Sequence, residues 1–459
     1  MVWIKLRIPE TRRAVMPQDT IYEHLKKHRD QGLSSFHTPG HKCSSFLPPE
    51  LLKLDLTELP DTDALFEANG IIRQCEKKLS QLYSTEDSFI SAGGCSLAIQ
   101  AMLRAALRSG GRLLCARNAH RSAVNACALL GIEPLWICPH SSSSYTGRTE
   151  PSDIEKAFEE NDDITACYIT SPSYYGELCD ISAIADICHR NGAILLVDNA
   201  HGSHLAFMKE KLHPIALGAD MSACSLHKTM PVMTGGAVLN TGNKRLAENA
   251  RSDMSLFGST SPSYVIMASI DLCVDYMLYG DGKKAYADCE KRVGEIRKAA
   301  LRKGIVQPQG SCDPLRLTFN TALCGIRGEK AQLEYFEAHG IDCEFCDGEN
   351  AVLLCTPFNS ERDFQRVESA IEDMPESSVS NEQPYSFSMP EKVISLRKAM
   401  LCSHVRVKTI NAQGRIAADT ACPCPPGVPV IMPGERIDQE AVELLLRYGI
   451  DEICVADGI

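Results

Sequence analysis

Between residues 85 and 240, short apolar runs alternate with amphipathic stretches. In order they read DSFISAGG, SLAIQAMLRAALRSG, RLLCARN, RSAVNACALLG, EPLWIC, ITACYIT, ISAIADICHRNG and AILLVDNAH. Strand-length apolar runs separated by helix-period segments predict βα units, and hence a mostly parallel sheet covered by helices on both faces. A long helical stretch follows, SYVIMASIDLCVDYMLYG and then KKAYADCEKRVGEIRKAALRKG, of the kind that links a large domain to a smaller one. From about residue 311, LRLTFNTALCG, AQLEYFEAHG, IDCEFCDG and AVLLCTPF read as β-α-β-β, a compact α+β unit. The segment MPESSVSNEQPYSFSMPEK reads as a linker or surface loop, and EKVISLRKAML after it as a helix. In CPCPPGVPVIMPGERI the density of proline precludes regular structure and predicts a rigid extended path.

Composition narrows the function classes. A chain of 459 residues is long enough for two or three domains. No apolar run approaches the roughly 20 residues that span a bilayer. The opening MVWIKLRIPETRRAV has no apolar stretch followed by a small-residue cleavage site. Both features lead to the expectation of a cytoplasmic protein. A formal net charge of -12 argues against a nucleic-acid or anionic-membrane surface and suits a cationic small substrate.

The 21 cysteines suggest a disulfide framework until their setting is read. Cys115 in RLLCAR, Cys167 in ITACYIT and Cys355 in VLLCTP sit inside apolar runs, where a reduced thiol behaves as a small hydrophobe. A zinc site would need two close pairs converging on one ion. Cys343–Cys346 and Cys422–Cys424 are such pairs, but the alternation in IDCEFC reads as a strand. No metal site is expected.

Four segments carry candidate chemistry. In SAGGCSLAIQAML, a strand runs through Gly93, Gly94, Cys95 and Ser96 into a helix. Glycines allow the sharp turn that aims backbone N–H groups and the helix dipole at an anion. In AILLVDNAHGSH, Asp198 ends a buried strand, where parallel α/β sheets bind ligands; a carboxylate there can keep a ring nitrogen protonated. In SACSLHKTMPVMTGG, Lys228 supplies an amine that attacks carbonyls once its pKa is lowered, with Ser225 and His227 beside it. In LLCARNAHRSAV, His120 starts a helix, and its flat ring could stack on a planar cofactor. Taken singly, each reads equally as a turn, a cap or a surface residue. Their order is that of a large group of pyridoxal-phosphate enzymes, which need a lysine, an acid facing the pyridine nitrogen and an anion cradle.

The chain resembles the Orn/Lys/Arg decarboxylase family along almost its whole length. The stretches that carry the resemblance are FHTPGHK, DLTELPDTDAL, GGCSLAIQAM, ARNAHRSAV, TSPSYYGELCDI, VDNAHGSH, SLHKTMP, STSPSYVIMASID, DPLRLTF and GRIAADTACPCPPGVP. It implies an aspartate-aminotransferase-like α/β fold: a large pyridoxal-phosphate-binding domain with a mostly parallel seven-stranded sheet, plus smaller α+β C-terminal domains. The implied divisions are an N-terminal segment 1–70, the large domain 71–290, a small α+β domain 291–380 and a C-terminal family domain 381–459. By the same resemblance Lys228 forms the Schiff base, Asp198 partners the pyridine nitrogen and His120 stacks on the ring. Gly94, Cys95, Ser96 and Ser225 bind the phosphate, while His201 and His227 lie against the cofactor. Ser259 and Thr260 reach the phosphate of a neighbouring subunit, which implies a homodimer with shared active sites.

Two departures bear on the substrate. The family's Asn-Gly-Thr-type loop reads Gly93–Gly94–Cys95–Ser96 here, and Cys424 in CPCPPG replaces an aromatic. The resemblance does not extend to the receiver-like domain that precedes the core in longer members, so their larger rings are not expected. The expected reaction is decarboxylation of arginine, lysine or ornithine, with arginine or lysine favoured. Lys228 or His227 is the expected proton donor to Cα. Asp63, Asp419 and Glu435 are candidates for the substrate's cationic end. The alternatives are another reaction on the same cofactor, either transamination, with Arg316 as the carboxylate-binding arginine, or a lyase reaction, and a non-catalytic cofactor-binding protein.

Overall fold

The structure is a computed structural model and describes residues 20–30, 54–138, 147–305, 310–376, 389–422 and 428–458. FHTPGHK, most of the Ser/Pro-rich linker and Cys424 lie outside the described residues. The large sheet has seven strands: β1 (Asp87–Ser91), β2 (Arg112–Ala116), β3 (Leu135–Ile137), β4 (Ile164–Thr170), β5 (Ile194–Asp198), β6 (Met221–Cys224) and β7 (Ala237–Thr241). Their order is β1-β7-β6-β5-β4-β2-β3. The pairs from β6 through β3 are parallel, and only β7 runs against its neighbours. This is the mostly parallel seven-stranded α/β sheet expected. The strands are buried runs because helices cover both faces. The helix Gly94–Ala106, for example, buries Leu97, Ile99, Met102 and Leu103, each such side chain stabilising by about 1.5–3 kcal/mol.

A consequence of this topology is that β1, β2, β4, β5 and β6 all end on one edge. Leading from that edge are the loops holding Gly93–Gly94, Arg117–His120, Ser171–Tyr175, Asn199–His201 and Ser225–Lys228. Ligands of open α/β sheets bind on such an edge.

Two helices, Tyr264–Tyr279 and Gly282–Arg302, occupy the long helical stretch. The second runs unbroken across residue 290. Beyond it, β8 (Arg316–Asn320), β9 (Phe345–Cys346) and β10 (Asn350–Leu354) form an antiparallel sheet in the order β8-β10-β9, with the helix Glu329–Ala338 between β8 and β9. IDCEFC thus contributes a strand, but only its last two residues pair. The helix expected over EKVISLRKAML is corrected to Leu396–Leu401. Val393 and Ile394 donate instead to the Gly434 carbonyl, and the Ser395 side chain caps the helix through the Lys398 amide. The chain closes with β11 (His404–Lys408) paired to β12 (Glu452–Ala456).

Among the described residues every cysteine is a free thiol, no three potential ligands cluster as a metal site, and no helix is long and apolar enough to cross a membrane.

Candidate active site

Asp198 is the last residue of β5, flanked by Thr170 of β4 and Ala223 of β6. Its side chain is 2% exposed. The Tyr168 hydroxyl donates to Oδ2 at 2.9 Å, and the Ala200 amide donates to Oδ1 at 3.1 Å. No lysine or arginine forms an ion pair with it among the described residues. A buried carboxylate held by two neutral donors requires a cationic partner to offset its desolvation, and a protonated pyridine nitrogen is such a group.

Lys228 lies in the short helix Leu226–Thr229 that follows β6. Its Nζ is 2.8 Å from His201 Nε2. Burial lowers the amine's pKa from the usual range, Asp198 pulls it back up, and Arg316 lowers it further. The pKa of His201, fully buried, is pushed well below that of a free imidazole by desolvation, with the Lys228 and Arg316 charges adding to the effect. A desolvated amine that is more readily neutral is the form that attacks an aldehyde.

The anion loop is stitched to the lysine loop through a glycine pair. Gly94, at φ +71°, donates its N–H to the Gly235 carbonyl at 2.8 Å. His227 donates its N–H to Gly236 O at 3.1 Å, and His227 Nδ1 lies 3.0 Å from the same oxygen. Gly235 is itself at φ +98°, a conformation glycine adopts without a Cβ clash. Because the Gly94 N–H is committed internally, an anion here would be met by the next N–H groups of the helix Gly94–Ala106, whose N-cap Gly93 offers no side-chain cap. The Cys95 thiol is buried, and burial and the Asp198 charge raise its pKa. Ser96 is exposed. Lysine, carboxylate and open helix end form a donor set that fits pyridoxal phosphate.

His120 is the N-cap of the helix Arg121–Leu130: its Nδ1 accepts from the Ser122 amide at 3.1 Å and lies 2.7 Å from Ser122 Oγ. Burial lowers its pKa, and its electrostatic neighbours include Asp198 and Lys228. The same residue therefore caps a helix and borders the site. Ser259 and Thr260 are exposed, and the Ser259 hydroxyl accepts from the Ser261 amide at 3.1 Å.

The three carboxylates that are candidates for the substrate's distal cation each have partners within the chain. Glu435 forms a buried bidentate pair with Arg117, at 2.6 and 2.7 Å, and also accepts from the Met432 amide; it joins the C-terminal region to the end of β2. Asp63 accepts from the amides of Ala64, Asn69, Gly70 and Ile72, so it anchors its own loop and the start of the helix Ile71–Tyr83. Asp419 pairs with Arg121 at 2.7 Å on the surface. Arg316 is fully buried. It donates to the Tyr174 carbonyl, sits 3.4 Å from His201 Nδ1, and has an unpartnered Nε.

Sequence reasoning did not reach Tyr168, which holds Asp198, nor Tyr174 and Glu344. Tyr168 was hidden inside the apolar run ITACYIT. Tyr174 stood within TSPSYYGELCDI, but only the fold shows that its ring packs edge-on against His201 at 5.0 Å.

Comparison with known proteins places this geometry. The major domain of Orn/Lys/Arg decarboxylases matches residues 19–315, and their C-terminal domain matches residues 383–448. The chain belongs to the Orn/Lys/Arg decarboxylase family. It is 31% identical to the uncharacterized protein YaaO of Bacillus subtilis (strain 168) and 27% identical to that organism's arginine decarboxylase, with 93% of both chains covered in each case. Its fold is similar to the Francisella novicida lysine decarboxylase LdcF, with a TM-score of 0.80 at 17% identity, covering 97% of this chain and 82% of that one.

Proposed function

We propose that this family member is a pyridoxal-phosphate-dependent decarboxylase of a basic amino acid, releasing CO2 and the corresponding amine. The observation that carries the proposal is a desolvated Lys228 amine, held against His201, on the same ligand-binding edge of the sheet as the buried Asp198 carboxylate. Arginine stands first among the substrates, because the similarity to an arginine decarboxylase runs along 93% of the chain; lysine and ornithine follow.

Pyridoxal phosphate, when bound, supplies an electron sink for the pair left at Cα as CO2 departs. Lys228 would hold it through its amine and release it to the incoming substrate. Asp198, fixed by Tyr168 and Ala200, would keep the ring nitrogen protonated. The helix N-terminus after Gly94, with Ser96 and Ser225, would bind the phosphate. His120 would cover the ring and His201 would hold Lys228 in place. The protein's main work would be orienting the substrate carboxylate for its departure.

Lys228 or His227 would return a proton to Cα. The Nδ1 of His227 faces Gly236 O, which leaves Nε2 for that task. The exposed Ser259 and Thr260 fit a role toward the phosphate of a second copy, and the same proposal extends to a cytoplasmic homodimer. Ultracentrifugation, with Ser259→Ala and Thr260→Val tested for weaker cofactor retention, checks that extension.

The direct test is to supply purified protein and cofactor with each of the three amino acids and identify the product by mass spectrometry. An amine supports the reading, and a keto acid moves it to transamination.

A further inference from the structure

The positively charged end of a basic substrate needs an oxygen acceptor, and the three carboxylates expected for it are committed elsewhere. Glu344 is not. It stands at the entry to β9, exposed to solvent yet fixed at two points. Its backbone N–H donates to Val352 O at 3.1 Å, and its Oε1 accepts from the Tyr174 hydroxyl at 2.9 Å. Its Oε2 has no hydrogen-bond partner among the described residues, and no lysine or arginine pairs with the carboxylate there.

Tyr174 ties this carboxylate to the reaction centre. Its ring meets His201 edge-on at 5.0 Å and Phe345 edge-on at 5.3 Å, and His201 contacts Lys228 at 2.8 Å. Glu344 is therefore linked to His201 through a single tyrosine side chain. The charge of Glu344 also raises the pKa of both Lys228 and Arg316, against the larger lowering from burial. A carboxylate oriented by a tyrosine hydroxyl, with its second oxygen open to solvent, is a receptor for an ammonium or guanidinium group.

We propose that Glu344, oriented by Tyr174, is the specificity determinant that binds the distal cation of the substrate. This deepens the decarboxylase reading and rests on it for the identity of the ligand. An uncharged side chain of equal length would lose the Oε2 contact and be discriminated against.

The test uses the holoenzyme and amines that need no decarboxylation. Cadaverine, agmatine and n-pentylamine are titrated calorimetrically into the wild type and into Glu344→Gln, Tyr174→Phe and Asp342→Asn. Asp342 is a neighbouring exposed carboxylate without the tyrosine contact and reports general charge effects. The wild type should prefer the charged-end amines over pentylamine by about ten- to a hundred-fold, as expected for a hydrogen bond to a charged group. Glu344→Gln should erase most of that preference while leaving pentylamine affinity unchanged, Tyr174→Phe should reduce it, and Asp342→Asn should keep it. With the amino-acid substrate, KM should rise by the same factor in Glu344→Gln while kcat stays within about three-fold.

A preference that survives Glu344→Gln, or that Asp342→Asn lowers equally, overturns the assignment. If no basic amino acid is decarboxylated but the preference still depends on Glu344, the assignment stands and the proposed reaction fails. If turnover is present and the preference ignores Glu344, the reverse holds.

Discussion

Lys228 Nζ lies 2.8 Å from His201 Nε2, and His201 Nδ1 lies 3.4 Å from Arg316 Nη2. A guanidinium only donates hydrogen bonds, so Nδ1 must accept and the imidazole proton resides on Nε2, where it faces the lysine amine. The contact then requires Lys228 to accept, which it does as a neutral amine. Burial favours the neutral form of both groups. The buried arginine thus fixes a histidine tautomer, and the histidine holds the lysine in its reactive state.

This arrangement predicts a pH dependence for cofactor capture. A lowered lysine pKa means that the neutral amine is populated at a lower pH than in a free side chain. The rate at which cofactor-free protein takes up pyridoxal phosphate should rise with pH and reach its midpoint below the ordinary lysine value of about 10.4. His201→Gln should move that midpoint. Stopped-flow absorbance measures it, and a midpoint at or above 10.4 contradicts the account.

Replacing Lys228 by alanine should abolish the visible absorbance of attached cofactor and lower turnover by at least about a thousand-fold. Asp198→Asn should leave the cofactor attached but lower turnover by about a hundred- to a thousand-fold, as removal of a positioned electrostatic partner does. Absorbance and single-turnover rates separate the two effects. Wild-type turnover in either variant is the contrary result.

Glu435→Ala should act on stability. It leaves the Arg117 guanidinium, fully buried, without its carboxylate. Breaking a buried pair by removing one partner costs about 3–5 kcal/mol, read as a lower urea midpoint. In the fraction that stays folded, KM for the substrate should be little changed. A large rise in KM with unaltered stability would return Glu435 to the substrate site.

The His204–Asp313 pair sets an acid limit. Nε2 and Oδ1 are 2.7 Å apart, and both side chains are 1% exposed. Burial pushes the Asp313 pKa up, but His204 and Arg316 outweigh it and hold the carboxyl below its usual range. A carboxyl whose pKa is lower folded than unfolded stabilises the fold fully above its unfolded value, about pH 4, and loses that contribution as pH falls through the folded value. Asp313→Asn should be less stable at neutral pH and flatter in acid, as measured by urea titration across pH. A wild-type acid profile in the variant would show that the pair contributes nothing.

The sheet and the order of the site groups were legible because each rests on local pattern. The run AILLVDN shows both that β5 is buried and that Asp198 ends it, since a polar residue stops an apolar strand there. The reversal of β7 was not legible, because AVLN carries no direction. The helix Pro151–Glu160 buries only Ile154 and Ala157 and gives a thin apolar signal. The partner of Glu435 was not legible, because Arg117 is 318 positions away and a motif cannot reveal such a pairing. Nothing in CEFC singles out Glu344, because the Tyr174 hydroxyl that orients it is 170 positions away.

The most direct measurement follows the carbon of the substrate carboxyl. Purified protein with pyridoxal phosphate is given carboxyl-labelled arginine, lysine or ornithine, and released CO2 is counted against amine formed. Label should appear in CO2, with an equal yield of agmatine, cadaverine or putrescine, from at least one of them. Bound cofactor with no CO2 from any of the three, or a keto acid that retains the label, would contradict it.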